Sequence, residues 1–184
     1  IGLATAGDDL NALLRQAYEL DMMNGEQTIA GLLVAEEVPR QVGMYVSGGL
    51  KLTTGWNWKQ DAETRAWTDR FRKRTGLGSS MYSVGVYSVV LHYLKAIEAA
   101  GTDDAKVVVA KMREIPVNDV FTRNGKLRID GRMVHDMFLA EVKRATESRE
   151  AFDYYNILDV IPGDQAFRPM EEGGCPLVKT AKKG

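Results

Sequence analysis

From residue 8 to residue 24, apolar side chains recur every three or four positions, at Leu10, Leu13, Leu14, Ala17 and Leu20, with Arg15 and Gln16 between them. This spacing keeps one stripe of a helix apolar, and it predicts a helix capped by Asp8 and ended by Asn24-Gly25. The next run, Thr28-Ile29-Ala30-Gly31-Leu32-Leu33-Val34, is short and continuously apolar, as in a strand covered on both faces of a parallel sheet. Around Pro39 no period is evident. Leu50–Thr54 reads as a further strand and runs into Gly55-Trp56-Asn57-Trp58. The opening Ile1–Gly7 contains no Met and reads as the end of a buried strand entering a helix, so a fragment of a longer protein is expected.

A helical block follows. Ala62, Ala66, Trp67 and Phe71 share one side of a helix from Asp61 to about Thr75. Ser79 or Ser80 can cap a longer helix whose buried stripe is Val84, Tyr87, Leu91 and Leu94, closed by Gly101. A third helix starts at Thr102-Asp103, carries Val107, Val108 and Met112, and stops before Pro116. From Val120 the period changes: Asn124-Gly125 and Asp130-Gly131 are hairpin and turn signals. Met137–Val142 and Tyr154–Val160 read as strands joined by a polar loop, and the last twenty or so residues read as a surface tail. Taking Thr53-Thr54 and Val134–Met137 as two crossings places residues 1–53 in one lobe, 54–135 in another, and 136–184 back in the first. A ligand clamp of two lobes is threaded in this way.

Charge adds little direction: 24 Lys and Arg against 25 Asp and Glu favour neither nucleic acid nor an anionic membrane as partner. The basic stretch Arg70, Arg72, Lys73, Arg74 reads as the solvated end of a helix, where the dipole favours cations. No run reaches the eighteen or so apolar residues that cross a bilayer. Cys175 is the single cysteine, either an inert thiol or half of a disulfide whose partner lies upstream. His92 and His135 have no metal-ligand spacing to each other or to Cys175, so no metal or cofactor is expected and both histidines read as structural. Gly76-Leu77-Gly78-Ser79-Ser80 lacks the Lys-Ser/Thr ending of a phosphate loop, and Ser83 has no Gly two residues before it, as a nucleophile elbow requires.

Leu13-Leu14-Arg15-Gln16-Ala17, Gly48-Gly49-Leu50-Lys51-Leu52-Thr53-Thr54, Met81-Tyr82-Ser83-Val84-Gly85-Val86-Tyr87, and Asn124-Gly125-Lys126-Leu127 with Asp130-Gly131 occur in this order and spacing. The set resembles the C-terminal portion of periplasmic solute-binding proteins of the branched-chain amino-acid ABC transporter type. The resemblance covers nearly the whole chain but only the second half of such a receptor. It implies the α/β fold of type I periplasmic binding proteins, two Rossmann-like lobes joined by crossover strands, with 1–53 and 136–184 in the second lobe and 54–135 in the first. It implies a periplasmic receptor without catalytic activity, which takes a small ligand to a membrane permease. Because both lobes would be cut, completion by another chain, by upstream residues or by dimerisation is expected.

Residue by residue, the resemblance places Ala6, Gly7 and Asp8 at a ligand-contacting turn, with Ala6 where amino-acid-binding members carry an aromatic. It places Leu33 and Val34 near the acidic residue that neutralises a bound ammonium; this chain offers no carboxylate there until Glu36 and Glu37. That absence favours a small organic acid, aromatic or not, over an amino acid, since a buried unpaired ammonium costs several kcal/mol. Tyr82 matches an aromatic position that closes over the ligand. A cleft needs such walls, and Trp56 and Trp58 are further candidates, although packing at the hinge is the better account of both tryptophans, and a core place on its helix accounts for Tyr82 equally well. The competing function is a fragment of an α/β enzyme whose catalytic residues lie outside the chain.

Overall fold

The computed structural model describes residues 1–181, and side chains for residues 1–178. In chain order the strands are β1 (Gly2–Leu3), β2 (Ala30–Gly31), β3 (Lys51–Thr54), β4 (Lys126–Leu127), β5 (Met133–Val134), β6 (Met137–Val142) and β7 (Tyr155–Ile161). The helices are α1 (Gly7–Glu19), α2 (Glu37–Val42), α3 (Met44–Ser47), α4 (Ala62–Thr75), α5 (Met81–Ala100), α6 (Ala105–Glu114), α7 (Gly163–Ala166) and α8 (Pro176–Ala181). The chain packs as two units: Ile1–Tyr82 with Met137–Val160, and Ser83–Asp136 with the chain from Ile161 onward. Compared with the expected limits at 53, 135 and 136, the first unit also retains the segment through α4 to Tyr82, while the residues after Val160 pack with the second. Bonds from this segment to the rest of the first unit explain why residues 54–82 stay with it: the Met81 amide to Glu36, Trp58 to the Phe152 carbonyl, Arg72 to the Ala151 carbonyl, and the Lys59–Asp153 ion pair.

The first unit is built on a sheet of order β1-β2-β3-β6-β7. β1, β2 and β3 run parallel, and β6 returns antiparallel to β3, with Lys51 opposite and ion-paired to Glu141 and Leu52 opposite Ala140. Leu10, Leu14 and Ala17 of α1 and Val38 and Val42 of α2 cover this sheet and bury Ile29, Val34, Leu50, Leu52, Ala140 and Val142 with them. α1 begins two residues earlier than predicted: Ala6 is its N-cap and offers no side-chain hydrogen bond, so Asp8 serves the first turn rather than the cap. The helix also ends at Glu19, and Met22–Asn24 forms a separate 3-10 turn after Asp21, which takes a positive φ of 56°. The unpatterned stretch around Pro39 folds into α2 and α3, whose joint is Gly43 at φ 85°.

α4 follows its sequence signals. Asp61 accepts from the Thr64 amide at 2.8 Å while Thr64 Oγ1 accepts from the Asp61 amide at 3.1 Å, a reciprocal capping box, and Gly76 closes the other end in the left-handed region. Asp61→Ala is expected to lower stability by about 1 kcal/mol, read as a shifted urea midpoint at unchanged slope. The basic stretch at the end of α4 is not wholly solvated. Arg72 donates to the Ala151 carbonyl at 2.8 Å and lies 5.7 Å from the Trp58 ring and 4.8 Å from the Phe152 ring.

In the second unit α5 buries a different stripe from the predicted one. Val84, Ser88, His92 and Ala96, one every four residues, are buried, whereas Tyr87 and Leu94 are 41% and 55% exposed. The polar members of the buried stripe are satisfied: Ser88 donates to Asp119 at 2.7 Å and the His92 ring donates to the Met112 carbonyl at 2.9 Å. Val86, Val89, Val90 and Tyr93 are left exposed with Tyr87 and Leu94. β4 and β5 form the hairpin, turned at Asp130-Gly131, while Asn124-Gly125 closes an isolated bridge between Val117 and Gly125. The predicted tail contains α7, a 3-10 turn at Met170–Gly173 and α8, and Cys175 is free and half-buried.

Candidate functional site

Since β1, β2 and β3 are parallel, the segments that follow them, Ala4–Gly7, Leu32–Glu36 and Gly55–Trp58, leave the sheet on one edge. Open α/β sheets hold ligands beyond the carboxyl ends of their strands, where backbone groups and helix starts face outward. Ala6, Gly7 and Asp8 are exposed there, and Gly7 takes φ 61°, a conformation that side chains resist. Leu33 is also exposed, together with Leu32. Tyr82 is half exposed at the first turn of α5.

Trp56 does not join them. It is 1% exposed, packs edge-on against Trp67 at 5.9 Å, and donates its indole N–H to Ser79 Oγ at 2.9 Å. Ser79 Oγ is shared with Thr68 Oγ1 at 2.9 Å, and both residues are buried. An aromatic with no free surface cannot wall a cleft, so the ligand-binding expectation for Trp56 is corrected to core packing. Trp58 donates to the Phe152 carbonyl at 3.2 Å and packs likewise.

Sequence reasoning missed the role of Glu36, Glu37 and Tyr155. The turn into α2 carries Glu36 inward until it is 8% exposed, and its Oε2 accepts the Met81 amide at 3.2 Å. Burial pushes the Glu36 carboxyl up to about 8; two backbone hydrogen bonds pull the other way and the neighbouring Glu37 adds to the rise. Tyr155 is pushed well above the ordinary phenol range by burial, then by Glu36 and Glu37, and Tyr82 is raised by burial and then by Glu37 and Glu36. Glu37 Oε2 and the Tyr155 hydroxyl are buried without a hydrogen-bond partner, as is Asn11 Oδ1. No Lys or Arg forms an ion pair with either carboxyl among the described residues. The one sequence signal was that Glu36-Glu37 is the first carboxylate pair after Leu33.

The second unit contains a larger concavity, about 730 Å³, lined by His92, Phe121, Arg128, His135, Phe167 and Cys175 among others. None of the predicted site residues lines it. Among its polar groups, Arg128 pairs with Asp130, and the His135 ring lies tilted to Phe121 at 4.8 Å and edge-on to Phe167 at 5.3 Å. Every buried polar side-chain atom lacking a partner, among the described residues, lies in the first unit. Unmet hydrogen bonds are costly in a finished fold and mark where another group belongs, so the first unit holds the candidate site.

Residues 1–148 match the family model described as periplasmic binding protein. The chain belongs to the periplasmic binding protein family. A periplasmic binding protein of Burkholderia mallei is 36% identical, with a TM-score of 0.88 over 96% of this chain and 46% of that one. A branched-chain amino-acid ABC transporter periplasmic ligand-binding protein of Burkholderia xenovorans is 32% identical, with a TM-score of 0.87 over 96% of this chain and 47% of that one. A solute-binding protein of an ABC transporter from R. palustris, solved with benzoate, shares the fold at 16% identity and a TM-score of 0.73, over 95% of this chain and 45% of that one. A search of curated proteins returns no match. The chain thus spans about half the length of these relatives. The fold is that of type I periplasmic binding proteins, and both Burkholderia relatives are periplasmic binding proteins, the second of them from an ABC transporter.

Proposed function

We propose that this chain forms part of an ABC-importer receptor that captures an amino acid at the carboxyl edge of β1–β3. The observation that carries the reading is the Glu36–Glu37 pair, buried or half-buried and without a cationic partner among the described residues, beside the unpartnered Tyr155 hydroxyl. An ammonium group would neutralise the pair and satisfy Glu37 Oε2, replacing the countercharge that Leu33 does not provide. The starts of the strand-following helices, Ala6-Gly7-Asp8 above all, leave backbone amides for a carboxylate. A permease partner and a periplasmic place of work accompany this reading. The second reading, an aromatic organic acid, is favoured by the exposed apolar pair Leu32-Leu33 and by the benzoate-bound relative.

Titrating the intact protein calorimetrically with isoleucine and with benzoate decides between them: isoleucine binding at micromolar concentration or tighter supports the amino-acid reading, and tight benzoate binding without isoleucine binding reverses it. Tyr82→Ala is expected to weaken the preferred ligand roughly tenfold, since an aromatic cover contributes on the order of 1 kcal/mol beyond its area, while the melting temperature stays nearly unchanged. A large drop in melting temperature with unaltered affinity would make Tyr82 a core residue.

A further inference from the structure

We propose that ligand capture at this edge is coupled to proton release: Glu36 is a neutral carboxylic acid in the empty site and ionises when the ligand's ammonium group arrives. The inference rests on the receptor reading and adds to it how the site is regulated. Its basis is geometric. Glu36 is buried at the turn into α2, where its Oε2 accepts the Met81 amide at the start of α5 at 3.2 Å and its carboxyl also receives its own backbone amide. The titratable groups acting in this cluster are Glu37 on α2, Tyr82 on α5, and Tyr154 and Tyr155 on β7. Arg40 acts on Tyr154 and is exposed. All of them but Arg40 are acids, and among the described residues no Lys or Arg forms an ion pair with Glu36.

Two backbone amide hydrogen bonds do not offset the removal of a carboxylate from water, which is why the carboxyl holds its proton up to about pH 8. An ammonium placed against Glu37 and the Tyr155 hydroxyl changes that balance, because a cation a few ångströms away in a dry site favours the ionised acid. The Glu36 proton then leaves to solvent, the ammonium keeps its three protons, and the new negative charge on Glu36 is compensated by the ammonium's positive one. The sign follows. A ligand that needs ionised Glu36 binds more weakly as pH falls below 8, by about tenfold per pH unit, and its affinity levels off above pH 8. A ligand that carries only a carboxylate would prefer the neutral acid and show the opposite slope.

The test is calorimetry on the intact protein with isoleucine at pH 6, 7 and 8, each in two buffers of different ionisation enthalpy, which gives the number of protons released. The expected result is nearly one proton released per isoleucine at pH 7, with affinity rising about 50-fold from pH 6 to pH 8. Glu36→Gln retains an acceptor for the Met81 amide and is expected to bind isoleucine more weakly, without proton release and without pH dependence over that range. Isoleucine binding with no proton release by the unaltered protein overturns the inference while leaving the receptor reading intact. Failure of both isoleucine and benzoate to bind overturns the receptor reading and the inference with it. The wild-type proton count needs no variant, so an unstable Glu36→Gln does not remove the test.

Discussion

Trp56→Ala is expected to destabilise the first unit by about 3–5 kcal/mol, the largest effect of any single truncation considered for this chain. Trp56 is among the largest fully buried side chains, and its loss leaves a cavity against Trp67 in a region held by hydrogen bonds as well as by packing. The same change removes the donor to Ser79 Oγ, although Thr68 Oγ1 remains as its partner, so little of the cost comes from an orphaned hydroxyl. Trp56→Phe keeps one aromatic ring but loses the rest of the indole with its N–H, and a cost of about 1–2 kcal/mol, below that of the alanine variant, is expected for it. Urea unfolding of the intact protein followed by fluorescence measures both. A cost below 1 kcal/mol for Trp56→Ala, together with a loss of ligand affinity, would return this residue to the cleft wall where the sequence had placed it.

Asp153→Ala is expected to cost about 3 kcal/mol at neutral pH. Asp153 is 2% exposed and receives both carboxylate oxygens' bonds from Lys143 at 2.8 Å, an ion pair from Lys59 at 2.7 Å, and the Arg149 amide at 3.1 Å. It thereby fastens the loop after β6 to the segment after β3, next to Trp58 and its bond to Phe152. Removing the carboxylate leaves two ammonium groups facing each other across the space it filled, and only their flexible stems moderate the penalty by letting them reach water. Burial alone would push the Asp153 carboxyl up, yet the hydrogen bonds from Lys143 and then Lys59 outweigh it and hold it below the ordinary range. A group depressed in the folded state stabilises the fold above its unfolded value, near pH 4, and loses that contribution as pH falls through the folded value. The stability gap between the unaltered protein and Asp153→Asn should therefore be full at pH 7 and shrink below about pH 4. A gap independent of pH from 7 to 3 would show that the ion pairs are not what Asp153 contributes.

Helix α4 was legible in the sequence nearly to the residue, because Asp61, Thr64 and Gly76 act through bonds to their own neighbours in the chain and need no tertiary partner. The start of α6 was read slightly early, at Thr102-Asp103, where the cap is Asp104, while β3 and β6 were legible from a period that any half-buried or buried strand must keep. The order of these segments also carried the family resemblance, and with it the fold. The buried stripe of α5 was not legible: Ser88 and His92 look like surface residues until Asp119 and the Met112 carbonyl, twenty or more residues away, provide their partners. Trp56 and Tyr82 look alike as candidate walls in the sequence, and only the position of Ser79 and Trp67 sorts one into the core and leaves the other half exposed. The site depended on the fold most of all. Glu36 reads as an ordinary polar residue before Pro39, and it becomes a buried acid because α2 turns it beneath the first turn of α5 and against Tyr155, residues 45 and 119 positions further along the chain. Local chemistry fixes helix ends and strand periods, whereas solvent removal around a charge is the sum of segments distant in sequence, and no local pattern contains it.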